Sequence, residues 1–280
     1  MSSRSRLGSL CGIAALTLAA ALTGCASGHP AASKPVTGPA LLDAAVKSTA
    51  AVKSFSGTIN LKTTVQGTTV TMAGTMEEQK KPLLGQVTMN SIRSMGQSMG
   101  PMTVIITPQE IYLKLPAAVT KGQSKTPWMG MPLSELKAGG TSISSLINEA
   151  NNNPAAETQM LAPAKNTRIV GKGTVGGVPV TEIAGSESVS QALASSKLPA
   201  GARTQMQQQV EKMGIGQIKF NEWVDGQNDV RKMAMNMTGS MMTETMTMTM
   251  TGINQPVHVT APPASQVTRV PASKLSGSGM

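Results

Sequence analysis

The residues able to do covalent or acid–base chemistry are few, and their spacing decides what they can do. Gly96-Gln97-Ser98-Met99-Gly100 has the Gly-x-Ser-x-Gly spacing of a nucleophile elbow, and Asp225 or Asp229 followed by His258 would complete a hydrolytic triad in chain order. That chemistry needs a strand before the serine and a helix after it, whereas Pro101 and then Met102-Thr103-Val104-Ile105-Ile106 read as another strand. The context argues against an esterase. Gly171-Lys172 lacks the glycine that a phosphate loop carries five residues earlier, since Asn166 stands there. The 14 acidic residues are dispersed, with neither calcium-loop spacing nor a paired-carboxylate arrangement. No catalytic residue, resident metal or cofactor is expected.

Sulfur is the remaining chemistry, with 21 methionines and 2 cysteines against an aromatic content of 2%. Met233, Met235 and Met237, then Met246, Met248 and Met250, alternate with polar residues on either side of Gly239-Ser240. On paired strands each set falls on one sheet face. Methionine is unbranched and polarizable, so such a face is a conformable wall for acyl chains or the filler of a plain core. Thioethers also suit Cu(I), although His29 and His258 are the only imidazoles that could assist. All three readings stay open at this point.

Cys25 carries the most specific signal. Arg4 and Arg6 form a positive start, Leu7 to Ala21 an apolar stretch too short to span a bilayer, and Gly24 is a small residue before a cleavage point. Leu22-Thr23-Gly24-Cys25 resembles the lipobox of a bacterial lipoprotein, in which the thiol receives a diacylglycerol and the signal is cut just before it. Cys25 would then be the lipid attachment point, holding the chain on the extracytoplasmic face of the cell membrane, because more than one acyl chain anchors firmly. Cys11 would leave with the signal, so no disulfide is available.

The elements that must position these residues follow from periodicity. Residues 26–39 are small, polar and broken by proline, and read as a tether containing His29. Leu41, Leu42, Ala45, Val46, Ala50 and Val52 are spaced for a short amphipathic helix. The period then becomes two. Ile59, Leu61 and Val65 share a face, Gln66-Gly67 turns, and Val70, Met72 and Met76 return. Further strands are expected at Leu83 to Ile92, Met102 to Thr107, Glu110 to Leu115, Thr167 to Val175, Val178 to Ile183, Gln217 to Val224, Val230 to Thr238, Met241 to Gly252 and Val257 to Thr260. Pro108-Gln109, Gly176-Gly177, Asp225-Gly226 and Gly239-Ser240 mark turns short enough to require antiparallel pairing. Helical patterns interrupt the strands at Leu133 to Ala150 and at Ser188 to Met213, the second broken at Pro199.

The net charge of +10 is scattered rather than gathered into a basic block with aromatics, which suits residence beside anionic lipid and argues against nucleic acid. The order of parts resembles the LppX and LprG group of actinobacterial lipoproteins. The matching features are the lipobox cysteine, the tether, the helix leading into Ser54-Phe55-Ser56-Gly57-Thr58-Ile59-Asn60-Leu61-Lys62, then Pro127-Trp128, Glu222-Trp223-Val224-Asp225 and Asn254-Gln255-Pro256-Val257. The resemblance implies an α+β, LolA-like fold: a strongly curved antiparallel half-barrel of about ten strands wrapped around a few helices, enclosing an apolar cavity for lipid or glycolipid acyl chains. On that reading residues 1–24 are the signal, 25–39 the acylated cysteine and tether, 40–265 one lipid-binding domain and 266–280 a disordered tail. Alternation nominates Ile59, Leu61, Met72, Met89, Val104, Leu113, Met235 and Met248 as the cavity lining. A monomeric, non-enzymatic carrier is expected, with an export transporter as a candidate partner. The alternatives are an anchored interaction protein with a filled core and a methionine-rich copper binder.

Overall fold

The computed structural model describes residues 36–116, 126–133, 161, 164, 166–195 and 200–270. The chain divides at Pro35, and all described residues belong to the second unit, Val36–Met280.

Helix α1 (Gly38–Ala51) opens this unit. Thr37 caps it, its hydroxyl accepting from the Ala40 amide, and Pro39 suits the first turn because a missing N–H there costs no helical bond. Gly38, Leu41, Leu42, Ala45 and Thr49 are its buried residues, one stripe along the helix. The far end is tied down twice. The Ser48 hydroxyl donates to Asp229 Oδ1 at 2.5 Å, and Lys80 Nζ donates to the Ala50 carbonyl at 3.2 Å, a cation at the negative end of the helix dipole.

Among the described residues thirteen strands then build one sheet. They are β1 (Ser54–Val65), β2 (Thr68–Gln79), β3 (Leu84–Ser94), β4 (Gln97–Ser98), β5 (Met102–Ile106), β6 (Glu110–Lys114), β7 (Trp128–Pro132), β8 (Arg168–Val175), β9 (Val178–Ser188), β10 (Gln217–Asp225), β11 (Val230–Thr238), β12 (Met242–Thr251) and β13 (Val267–Arg269). Their order is β13-β7-β6-β5-β3-β2-β1-β12-β11-β10-β9-β8, with β4 paired to β3. The sheet is large, curved and unclosed, and antiparallel except where β13 joins β7. Helices α2 (Val189–Ser195) and α3 (Ala200–Lys212) sit between β9 and β10, and Ser188 caps α2 by accepting from the Gln191 amide.

Two-residue turns with positive φ join the long hairpins: Gln66-Gly67 between β1 and β2, and Gly176-Gly177 between β8 and β9. Such turns match the right-handed twist of paired strands. Bulges at Ala73/Gly74, Trp223/Val224 and Ile169/Gly171 add bending. At Gly74 the strands approach so closely that a Cβ would stand 2.1 Å from the Thr88 carbonyl oxygen, which only glycine avoids.

The architecture expected from the sequence is therefore present, with these corrections. Among the described residues the strands number thirteen, not about ten, because β4, β7 and β13 are too short to show a period. Val257 to Thr260 pairs with nothing as a strand, since Pro256, Pro262 and Pro263 remove ladder donors around it. Residues 266–280 are not all tail: Val267–Arg269 form β13 beside Trp128–Gly130, and Arg269 donates to the Glu110 carboxylate. The helix expected at Leu133 to Ala150 lies, beyond Leu133, outside the described residues.

Candidate functional site

Strand alternation sorts the sheet into two chemically different faces. On one, β12 presents Met242, Glu244, Met246, Met248 and Met250, while its threonines take the other. The register carries this division across the sheet. Met248 faces Met233 on β11 and Ile59 on β1, Met246 faces Met235 and Leu61, and Leu61 faces Met72 on β2. Met72 meets Ile92, Met89 meets Met102, and Val104 meets Leu113. The eight residues nominated from the sequence thus share one face on three rungs: Met248, Ile59 and Met89 on one, Met235, Leu61 and Met72 on the next, and Val104 with Leu113 on a third.

The face is covered unevenly. Over β9 to β12 and β1 it lies beneath α1 and α2 in one cluster with Leu42, Leu161, Ile183, Phe220 and Val230, and this cluster takes in Met233, Met235, Met246, Met248 and Met250. Met235 and Met248 are packed core, at 8% and 3% exposure. Ile59 and Leu61 are half-buried at its border. A second, smaller cluster of Ile106, Ile111, Met131 and Leu133 closes the far end of β5 to β7, with Val104 against it. Between the two stand Met72, Met89 and Leu113, half-buried, with Val87 and Met102 on the same surface. This apolar strip, bordered by filled core on both sides, is the candidate site.

Burial in the main cluster includes one charged side chain that periodicity could have flagged. Glu222 alternates with Ile218, Phe220 and Val224 and is fully buried opposite Met233 and Ile183. The opposite sheet face is polar. A groove of about 320 Å³ there is lined by Asn60, Lys62, Thr71, Ala73, Ser91, Thr245 and Thr247, with Leu61 and Met72 along the strands between them. Hydroxyls and an ammonium make it unsuited to an acyl chain. Trp223 also lies on that face, with the Lys232 ammonium 4.3 Å from its ring centre, a cation–π contact between direct cross-strand neighbours.

The residues of the hydrolytic spacing are not assembled as an elbow. Ser98 is exposed in β4, after a Met95-Gly96 turn with φ of 48° and 77°, and β5 rather than a helix follows it. Asp225 binds the Gln227 and Asp229 amides and pairs with Arg231 Nε at 2.6 Å, Asp229 accepts from Ser48, and His258 is exposed on unpaired chain. Among the described residues no group of three His, Cys, Asp or Glu could hold a metal ion, and no helix is long and apolar enough to cross a membrane. Cys25 and His29 lie outside the described residues.

No family model and no curated protein matches the chain. Solved structures similar to it include the Mycobacterium tuberculosis lipoprotein LppX, at 16% identity, covering 79% of this chain and 99% of that one with a TM-score of 0.45. LprF from Mycobacterium bovis is similar at 13% identity over 80% of this chain and 96% of that one, with a TM-score of 0.47. A LolA superfamily protein from Nitrosomonas europaea is similar at 9% identity over 80% and 95% of the two chains, with a TM-score of 0.29. LppX belongs to the group that the order of sequence motifs resembles.

Proposed function

We propose that this protein is a membrane-anchored carrier that holds the acyl chains of a lipid or glycolipid against the apolar sheet face, with Cys25 as the acylated tether. The observation that carries the proposal is the strip of Met72, Met89, Val104 and Leu113, left half-buried between two filled clusters. A strip of water-facing methionine and aliphatic side chains gains about 0.8 kcal/mol for each methylene it takes out of water, so a modest length of acyl chain held there binds firmly. Thioethers conform to chains of varied shape. Ile59 and Leu61 form the near wall of the site, while Met235 and Met248 support it from within the core rather than touch the guest. Binding is reversible encapsulation, and no bond is made or broken.

The second reading is an anchored interaction protein, favoured by the burial of Met235 and Met248 in ordinary core. Native mass spectrometry separates the two. Purified without detergent from a host that makes such lipids, a carrier retains a stoichiometric lipid adduct that solvent extraction releases and identifies. A protein that comes out bare and refuses added phospholipid overturns the carrier reading.

A further inference from the structure

We infer that one end of the sheet docks onto an anionic bilayer surface through apolar hairpin tips, an orientation that deepens the anchored-carrier reading and rests on it only for the tether.

The strand directions define two ends. At one, β1 turns into β2 at Gln66-Gly67, β3 turns into β4 at Met95-Gly96, and β11 turns into β12 at Gly239-Ser240. These turns are neighbours. The Gln66 amide donates to the Met241 carbonyl at 3.1 Å, and Ser94, just before Met95, pairs with Val70, which pairs with Thr63. Each tip carries an exposed large apolar side chain: Val65 at 43% exposure, Met95 at 80% and Met241 at 44%, with Met99 beside Met95. Met95 even occupies a left-handed φ of 48°, where Asn or Gly is the usual choice, so an apolar side chain is held at the apex against local preference. The opposite end, with turns at Lys80–Lys81, Pro108–Gln109, Gly176–Gly177 and Gly226–Asn228, has no exposed large apolar residue among the described residues.

Cations also flank the tips. Near the tips, Lys62, Arg93 and Lys212 are exposed, and Lys212 precedes Met213, whose carbonyl accepts from the Met241 amide. Glu211 and Glu244 also lie there, the latter accepting from Thr63. Toward the other end the acids Glu77, Glu78, Glu110, Asp225 and Asp229 are matched by Lys53, Lys80, Lys81 and Arg231, so the distinction between the ends lies in the apolar tips. Apolar tips flanked by cations suit insertion below anionic headgroups better than a protein partner, because apolar side chains enter the acyl boundary while Lys and Arg meet phosphate.

The chain enters from this side. Gly38 lies so close to the Thr167 carbonyl oxygen that a Cβ would stand 2.3 Å from it, and the adjacent Asn166 bonds Ser186, two residues from the tip-side end of β9. The other end of α1, at Ser48 and Ala50, is fixed to Asp229 and Lys80 at the far side. Val36, itself exposed, thus marks the tip side, and the residues separating it from Cys25 extend at most about 40 Å, so an anchor at Cys25 keeps the tips within reach of the bilayer.

The test uses the processed protein reconstituted in phosphatidylglycerol–phosphatidylcholine vesicles, with Met95→Cys and Asn228→Cys labelled separately by an environment-sensitive nitrobenzoxadiazole dye. The Met95 label is expected to shift to the blue and to be quenched severalfold more than the Asn228 label by lipid carrying a nitroxide just below the headgroup. Equal response at both ends overturns the docking. Met241→Asp, at a solvent-exposed tip, is expected to reduce quenching at the Met95 label severalfold, and unchanged quenching also overturns it. The dye count reads the anchor separately: one dye per chain when Cys25 is acylated, two when its thiol is free.

Discussion

Met233 lies directly across the β11–β12 ladder from Met248, with the two side chains 0% and 3% exposed. Alternation alone makes such a pair equally suitable for a ligand wall and for a core; its burial in one cluster with Leu42, Phe220 and Val230 makes it core. Soft-metal binding at these thioethers would have to open that packing.

The first prediction concerns this pair. Met248→Ala removes a buried side chain and leaves a cavity, so it is expected to cost about 2 to 5 kcal/mol of stability. Met235→Trp overpacks the same cluster at a cost of about 1 to 3 kcal/mol. Denaturant midpoints measure both, and a Met235→Trp chain of unchanged stability would show that open space, not packed core, lies beside it.

Substitution on the half-buried strip is expected to behave in the opposite way. Met72→Gln with Met89→Gln places amides where the guest's acyl chain is proposed to lie, so lipid retention in native mass spectra should fall severalfold while the denaturation midpoint changes little. Retention equal to the parent protein would move the guest elsewhere.

Ser48→Ala removes the donor that joins α1 to Asp229, a carboxylate only 9% exposed. A buried acceptor deprived of its donor costs about 1 to 3 kcal/mol, which urea unfolding would register as a lower midpoint at unchanged slope.

Acid should loosen the β13 edge first. Partial burial pushes the Glu110 carboxyl up, but hydrogen bonds from Tyr112 and Arg269 and the charge of Arg269 outweigh it and hold the group below its ordinary value of 4.5. A carboxyl depressed in the folded state stabilises above its unfolded value, and that contribution is lost as pH falls below 4.5 and through the folded value. The protection factor of the Val270 amide, which donates to Gly130, should therefore fall below pH 4.5, and Arg269→Met should lower it already at neutral pH.

Much of the fold was legible in the chain because its strands are long and one face is buried, so the period of two is written into β1, β2, β3, β10, β11 and β12. Gln66-Gly67 and Gly176-Gly177 announced their turns for a stereochemical reason, the positive φ that both positions require. β7 and β13 were not legible. Five and three residues are too few to show a period, and their pairing is settled by partners far along the chain, Tyr112 for Gly130 and Trp128 for Val267.

The candidate site divides along the same line. Sequence by itself determined which residues share a face, because alternation is a local property of extended chain, and the register then carried Met72, Leu61, Met246 and Met235 into one line. Only the tertiary structure decided which part of that face is filled. Coverage depends on where α1 and α2 come to rest, and they rest over β9 to β12, burying Met235 and Met248 while leaving Met72, Met89 and Leu113 half-buried. Local pattern specifies direction; burial is a sum over distant neighbours, and no stretch of sequence contains that sum.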